Sequence, residues 1–85
     1  MSSIKGWAYI DNVPEEPCEY KLFEGDELIR NGSSCNCKRR LKEHRRRIPE
    51  ASGFRVQLTD NCKAARVREK TECEVNKPRL NKRCG

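Results

Sequence analysis

Six cysteines and one dense block of arginine and lysine are the residues in this 85-residue sequence whose types and spacing bear on chemistry. An even set of cysteines in a short chain is typical of a disulfide framework formed in an oxidising compartment. Each bridge stabilises a small domain by about 2–4 kcal/mol. We therefore predict that all six are disulfide-bonded, in a connectivity that the spacing leaves open: Cys18, Cys35, Cys37, Cys62, Cys73 and Cys84.

Zinc binding and catalysis are the other uses of such residues, and the sequence favours neither. Structural zinc sites commonly use Cys-x₂₋₄-Cys pairs, whereas this chain has a single Cys-x-Cys, at Cys35 and Cys37. The one histidine, His44, lies among arginines with Glu43 as the adjacent carboxylate, so we interpret it as a partly buried filler. We predict a non-enzymatic protein with no catalytic residues, no metal and no cofactor.

The basic block occupies residues 38–47, where seven of ten side chains are Lys or Arg. Charge is also uneven along the chain. Residues 1–34 carry three basic and seven acidic side chains, and the remainder carries sixteen basic and six acidic ones. A surface of one sign favours an anionic partner and salt-dependent binding. A solvated face without a partner is the alternative. The residues we predict to bind that partner are Arg39, Arg40, Lys42, Arg46 and Arg47.

The elements that must position these residues follow from the hydrophobic periodicity. Alternation predicts a strand over residues 4–10 and a hairpin over 18–32 that turns at Gly25-Asp26. It also predicts a strand over 54–58 and a returning strand over 65–75. Spacings of four, three and four residues predict one helix over 37–48, capped by Ser33 or Ser34 and ended by Pro49.

The chain is 34% hydrophobic and 38% charged, so its core is small and needs covalent support. We predict a single disulfide-stapled domain over residues 1–85. Its fold class is a small disulfide-rich α+β domain, with an antiparallel sheet of four or five strands and one helix. The alternative is an all-β sandwich or barrel.

No stretch of the sequence is apolar for long enough to span a bilayer. We expect a secreted, extracellular protein whose signal peptide has been removed. Asn31-Gly32-Ser33 is an N-glycosylation sequon, so Asn31 is a possible acceptor in a eukaryotic secretory route.

The segment "GFRVQLTDNCKAARV", with a cysteine near the chain end in "KRCG", resembles the small cysteine-rich effectors of plant-pathogenic fungi called MAX effectors. The chain departs from that group in its six cysteines, its central helix and its basic charge. The resemblance implies a secreted virulence protein or toxin with a β-sandwich fold.

We therefore predict a secreted effector or toxin-type protein, monomeric, that docks through its basic face to a host protein or to an anionic glycan or lipid surface. One alternative is a cationic antimicrobial or antifungal protein that acts on anionic membranes. Another is an intracellular zinc or nucleic-acid-binding module. Nucleic acid is not the favoured partner, because the aromatic residues lie in segments with little basic charge.

Overall fold

One antiparallel sheet and two α-helices make up the computed structural model, which describes residues 4–81. The strands are β1 (Lys5–Gly6), β2 (Cys18–Glu24), β3 (Glu27–Ser34) and β4 (Gly53–Leu58). Their order across the sheet is β1-β4-β2-β3. The helices are α1 (Cys37–Arg47) and α2 (Cys62–Asn76). The predicted α+β fold with an antiparallel sheet is confirmed, with a second α-helix that we did not predict.

The hairpin of β2 and β3 places the central strand of the sheet beside its edge strand. Glu24 pairs with Glu27, so Gly25 and Asp26 form the two-residue turn that the sequence predicted. Gly25 has a φ of 60°, which glycine adopts without steric cost. The register shifts once between Leu22 and Phe23. Tyr20 consequently lies opposite Gly32, and this pairing positions the side chains described below.

Helix α1 forms over the residues predicted for it and ends at Arg47, one residue before the predicted end. Asn36 caps it, because the Asn36 side chain accepts a hydrogen bond from the backbone N–H of Arg39 at 3.1 Å. The predicted caps were Ser33 and Ser34. Ser34 instead stabilises the turn before the helix, because its hydroxyl oxygen accepts a hydrogen bond from the backbone N–H of Asn36 at 3.0 Å. Cys37, Leu41 and His44 form the buried face of the helix.

Residues 65–75, predicted as a strand, lie in helix α2. Ala65 and Cys73 are buried whereas Val67 and Val75 are 61% and 73% exposed, so burial recurs every four residues rather than every two. Asn61 caps the helix by accepting from the N–H of Ala64 at 2.8 Å. The prediction of a strand was wrong because the apolar residues of this segment are spaced by even numbers. That spacing fits the two-residue period of a strand and also the nearly four-residue period of a helix.

The predicted strand over residues 4–10 is mostly a 3₁₀ helix, Trp7–Asn12, that follows the short β1. The Trp7 indole donates to the carbonyl of Ala51 at 2.9 Å and lies 5.4 Å from the Phe54 ring, measured between centroids. The helix thereby covers one edge of the core, whose largest buried side chains are Tyr20, Leu22, Ile29, Leu41 and Phe54.

Disulfides connect the helices to the sheet. Cys18 of β2 is bonded to Cys37 at the start of α1, and Cys35 is bonded to Cys62 at the start of α2. Cys73 is also disulfide-bonded, and Cys84 lies outside the described residues. None of the five described cysteines is free, so none of them is available to zinc. No helix within residues 4–81 is long and apolar enough to cross a membrane.

Candidate active site

A buried tyrosine–histidine pair joins β2 to α1. The Tyr20 hydroxyl and Nε2 of His44 are 2.6 Å apart, and the two side chains are 3% and 7% exposed. Gly32 makes this pair possible, since a Cβ atom at position 32 would overlap the Tyr20 hydroxyl. The Tyr20 ring therefore lies across the backbone of β3, and its hydroxyl reaches the helix.

Two arginines surround this pair, Arg30 on β3 and Arg40 on the first half of α1. Burial, and to a smaller extent the charges of Arg30 and Arg40, lower the pKa of His44 to about 4. His44 is therefore neutral at pH 7. Burial also raises the pKa of Tyr20 above its ordinary value, against the opposing effect of the two arginines, so Tyr20 keeps its proton at pH 7.

A carboxylate from α2 completes the group. Oε1 of Glu69 accepts a hydrogen bond from the Ser33 hydroxyl of β3 at 2.6 Å. The negative charge of Glu69 is close enough to Tyr20 to contribute to the raised pKa of the phenol. We call the following residues, which come from two strands and both α-helices, the active-site cluster: Tyr20, Arg30, Ser33, Arg40, His44 and Glu69.

Some polar atoms of this cluster have no partner among the described residues. Nδ1 of His44 and Nε of Arg30 are buried without a hydrogen bond. When the imidazole proton is on Nδ1, the Tyr20 hydroxyl donates to Nε2 of His44. Buried polar atoms in proteins are usually paired, so the unpaired ones mark where water or a ligand completes the structure.

A cleft of about 240 Å³ opens beside Ser33. Arg40 of α1 and Arg66 of α2 line it, together with the Cys35–Cys62 disulfide that connects the starts of the two helices. The cleft is thus bordered by Ser33, which donates to Glu69, and by two cationic side chains from different helices. Such an arrangement accommodates an anion next to a carboxylate.

The residues predicted to bind an anionic partner are divided between the cluster and the surface. Arg40 and Arg47 both act electrostatically on His44, as their spacing on α1 allows. Lys42 pairs with Asp11 at 3.5 Å, and Arg39 and Arg46 are exposed. The structure therefore brings Arg40 to the cleft and leaves the others around it. Binding of an anionic partner by Arg39, Lys42, Arg46 and Arg47 stays a prediction.

Asn31, the predicted glycosylation acceptor, is 1% exposed. Its side-chain nitrogen donates to Oε2 of Glu19 at 2.5 Å and to the Tyr20 carbonyl at 2.8 Å. The amide of Asn31 is therefore engaged inside the folded chain, and its glycosylation stays a prediction.

Sequence reasoning missed most of the active-site cluster. Tyr20, Arg30 and Glu69 were not singled out, and His44 was interpreted as a filler. Two spacing patterns in the sequence could have indicated members of the cluster. Arg40 and His44 are four residues apart on a predicted helix, and Glu69 lies midway between Ala65 and Cys73, which a helical period places on one face.

The comparison with known proteins identifies the fold. No protein-family model and no curated protein matches this sequence. Solved structures do match: the GIY-YIG N-terminal endonuclease domain of UvrC from Thermotoga maritima, bound to its catalytic magnesium ion, has a TM-score of 0.76 at 22% identity. The matched region covers 87% of this chain and 92% of that one. A point mutant of the same domain, with an asparagine replaced by alanine, has a TM-score of 0.79 at 20% identity, over 89% and 93% of the two chains.

These matches correct several predictions. The resemblance to MAX effectors is wrong, because the chain has the fold of an endonuclease domain. The same finding overturns the prediction of a non-enzymatic effector, virulence protein or toxin, and with it the predicted secretion. A host protein or glycan partner has no support. At these identities the likeness is one of fold, and the chain shares the fold of the UvrC GIY-YIG endonuclease domain.

Proposed function

We propose that this chain is a metal-dependent nuclease domain that hydrolyses phosphodiester bonds in nucleic acid at the active-site cluster. The observation that carries the proposal is the convergence of Tyr20, His44, Arg40 and Glu69 from three elements of a fold shared with an endonuclease domain. The basic surface of α1 provides the electrostatic attraction that a nucleic-acid substrate requires.

Arg30 and Arg40 are the residues that would bind the scissile phosphate. Guanidinium groups match the geometry of phosphate oxygens and stabilise the charge that develops during phosphoryl transfer. Arg30 has no carboxylate within ion-pair distance in the described chain, and the one partner of Arg40 is Glu43, at 4.0 Å. Both cations are therefore available to an anion.

Tyr20 and His44 are placed to move a proton. In the proposed reaction the attacking water gives a proton to the Tyr20 oxygen, while Tyr20 passes its own proton to Nε2 of His44. The water oxygen forms the new bond to phosphorus, and the bond to the leaving oxygen breaks, with solvent protonating that oxygen. A bound phosphate offsets the charges of Arg30 and Arg40, so it raises the pKa of His44 and makes the imidazole a better acceptor.

Glu69 is the residue that would hold the metal. Within residues 4–81 no three His, Cys, Asp or Glu side chains gather into a metal site. Magnesium does not need such a group, because it keeps several waters and binds through one or two carboxylates together with substrate phosphates. One oxygen of Glu69 is held by Ser33 and the other has no protein partner in the described chain, which fits this mode. When bound, the ion would neutralise charge on the phosphate.

The letters of the family name, taken as the tripeptides Gly-Ile-Tyr and Tyr-Ile-Gly, occur nowhere in this sequence. The proposed roles therefore rest on the chain's own contacts. Tyr20 and Gly32, which lie opposite each other on the hairpin, are the positions that shape the tyrosine–histidine pair.

Incubation of the purified oxidised chain with supercoiled plasmid and with labelled single-stranded and duplex oligonucleotides tests the proposal. We expect strand cleavage with magnesium and none with EDTA. Arg40→Gln should lower the rate about 100-fold, the effect of removing one donor to a developing charge. Arg46→Gln, an exposed arginine on the same helix, is the matched control and should lower it less than tenfold. Binding of these substrates without metal-dependent cleavage would refute the proposal.

A further inference from the structure

The cleft beside Ser33 contains an arginine that the proposed reaction does not use. Arg66 of α2 lines this cleft opposite Arg40 of α1. It is exposed and has no ion pair in the described chain. Two cations from separate helices thus face the same cleft, and only one of them has been assigned to the scissile phosphate.

The serine hydroxyls in the cleft are already engaged. Ser33 donates to Glu69 at 2.6 Å, and Ser34 donates to the Asn36 carbonyl at 2.9 Å. These bonds fix the shape of the loop that precedes α1. The positive charge that a ligand would meet therefore comes from the guanidinium groups of Arg40 and Arg66.

The Cys35–Cys62 disulfide holds together the starts of the helices that carry these two arginines. Cys35 directly precedes the cap of α1, and Cys62 is the first residue of α2. Arg40 follows Cys35, and Arg66 follows Cys62, by roughly one helical turn of about 3.6 residues. The bridge joins the two helices at their starts. The backbone positions of both arginines are therefore about one helical turn from a covalent link, which limits how far they can separate.

We propose that Arg66, held against Arg40 by the Cys35–Cys62 disulfide, forms a second phosphate subsite that binds the backbone phosphate next to the scissile one. The inference rests on the proposed function for its ligand, a nucleic-acid strand. Phosphate is the chemistry that fits, because guanidinium forks bind its oxygens in bidentate fashion. The arrangement makes Arg66 a positioning residue, which sets the register of the strand in the cleft and takes no part in bond cleavage.

Binding measured in EDTA tests this subsite separately from cleavage. The affinity for a labelled oligonucleotide duplex is determined by fluorescence anisotropy over a range of salt concentrations. Each phosphate contact contributes about 0.9 to the slope of log affinity against log salt. Arg66→Gln should therefore reduce the magnitude of the slope by about one. The control is Lys63→Gln, which makes the same charge change on α2, in a separate groove lined by Val67 and Thr71. This control variant should have a slope within about 0.3 of the slope of the natural chain.

A second variant tests the role of the disulfide. Cys35→Ser with Cys62→Ser, checked for folding by circular dichroism, should lose the same unit of slope, and adding Arg66→Gln should then have no further effect. Equal slopes for Arg66→Gln and Lys63→Gln would overturn the subsite. A reduced slope for Arg66→Gln in a chain that never cleaves would support the subsite and refute the proposed nuclease.

Discussion

Glu19 and Tyr20 are neighbours on β2 and point to opposite faces of the sheet. Each is almost fully buried, and each begins a polar cluster. Tyr20 belongs to the active-site cluster. Glu19 belongs to what we call the Glu19 network, which comprises Glu19, Lys21, Asn31, Arg68 and Glu72.

The charges of the Glu19 network are paired internally, although Oδ1 of Asn31 is buried without a hydrogen bond in the described chain. The Glu19 carboxylate accepts from Lys21 at 2.8 Å, from Asn31 at 2.5 Å and from Arg68 at 3.2 Å. Lys21 also donates to Glu72 at 3.0 Å, and this hydrogen bond lowers the pKa of the Glu72 carboxyl. Every charge in the network has an opposite charge beside it, so the network needs no ligand.

The active-site cluster is paired less completely. Arg30 has no carboxylate within ion-pair distance in the described chain, and Nδ1 of His44 has no hydrogen-bond partner there. A half-buried cation without a counter-ion loses hydration without gaining an ion pair, so an anion beside it is favourable. The difference between the two clusters therefore separates a group that stabilises the fold from a group that, in the proposed function, binds substrate.

The largest effect is expected from substituting Glu69 of the active-site cluster and Glu19 of the Glu19 network. Glu69→Gln should lower metal-dependent cleavage about 1000-fold, because it removes the carboxylate that would hold the ion in the proposed function. It should change the free energy of unfolding by less than about 1 kcal/mol, since Gln still accepts from Ser33. Glu19→Gln should do the reverse, costing about 2–3 kcal/mol of stability through weakened charged hydrogen bonds. Cleavage per folded molecule should fall less than tenfold.

Initial rates with magnesium and urea unfolding midpoints, measured on both variants, decide this comparison. A Glu69→Gln protein that cleaves normally, or a Glu19→Gln protein that is inactive while fully folded, would show that we have assigned the two clusters the wrong way round.

The next effect is on the pH dependence of stability. The pKa of His44 is about 4 in the folded chain and near 6.5 when unfolded, so the unfolded state binds the extra proton first. Above pH 6.5 the titration of His44 does not lower the free energy of unfolding. Between pH 6.5 and pH 4 it lowers that free energy by about 2–3 kcal/mol. The lowered pKa of Glu72 acts later, because that carboxylate loses its contribution only as the pH falls below 4.5.

Urea unfolding at pH 7.5, 6.5, 5.5 and 4.5 measures this loss. In His44→Gln the amide can still accept from Tyr20 but does not titrate, so the curve above pH 4.5 should be nearly flat. An unchanged slope in that variant would mean that another group causes the acid sensitivity.

The two clusters also differ in what the sequence could predict. The hairpin, α1 and β4 depend on local patterns, and these were predicted correctly from the Gly25-Asp26 turn, the helical spacing and the alternation after Gly53. Helix α2 was missed because its apolar spacing fits two periods. The choice between them depends on packing against β3, which a single sequence does not display.

The active-site cluster could not be assembled from the sequence, because its members meet through the tertiary fold. Tyr20 and His44 are 24 residues apart, and Ser33 and Glu69 are 36 apart. The arginines around His44 seemed to argue against catalysis. In the structure burial is the main reason why the imidazole is neutral, and the arginines add to its effect. In the proposed function the same arginines bind a phosphate.

The last comparison is between two glycines of the same hairpin. Gly25→Ala places a side chain at a φ of 60° in the turn, which should cost about 1 kcal/mol and leave cleavage unchanged. Gly32→Ala introduces a methyl group that overlaps the Tyr20 hydroxyl. We expect a loss of about 1–3 kcal/mol from overpacking. Cleavage should also fall about 100-fold, because a small displacement of a reacting group has that effect.

A double mutant separates crowding from catalysis. Tyr20→Phe removes the atom that a methyl group at position 32 would meet first, so Gly32→Ala should cost less stability in the Tyr20→Phe background than in the natural chain. Cleavage should stay low in both, because the hydroxyl that donates to His44 is absent or displaced. Additive stability losses would mean that Gly32 does not support Tyr20. Because Gly32 has no side chain, its contribution is the space in which the tyrosine–histidine pair forms, whereas Gly25 contributes only a backbone conformation.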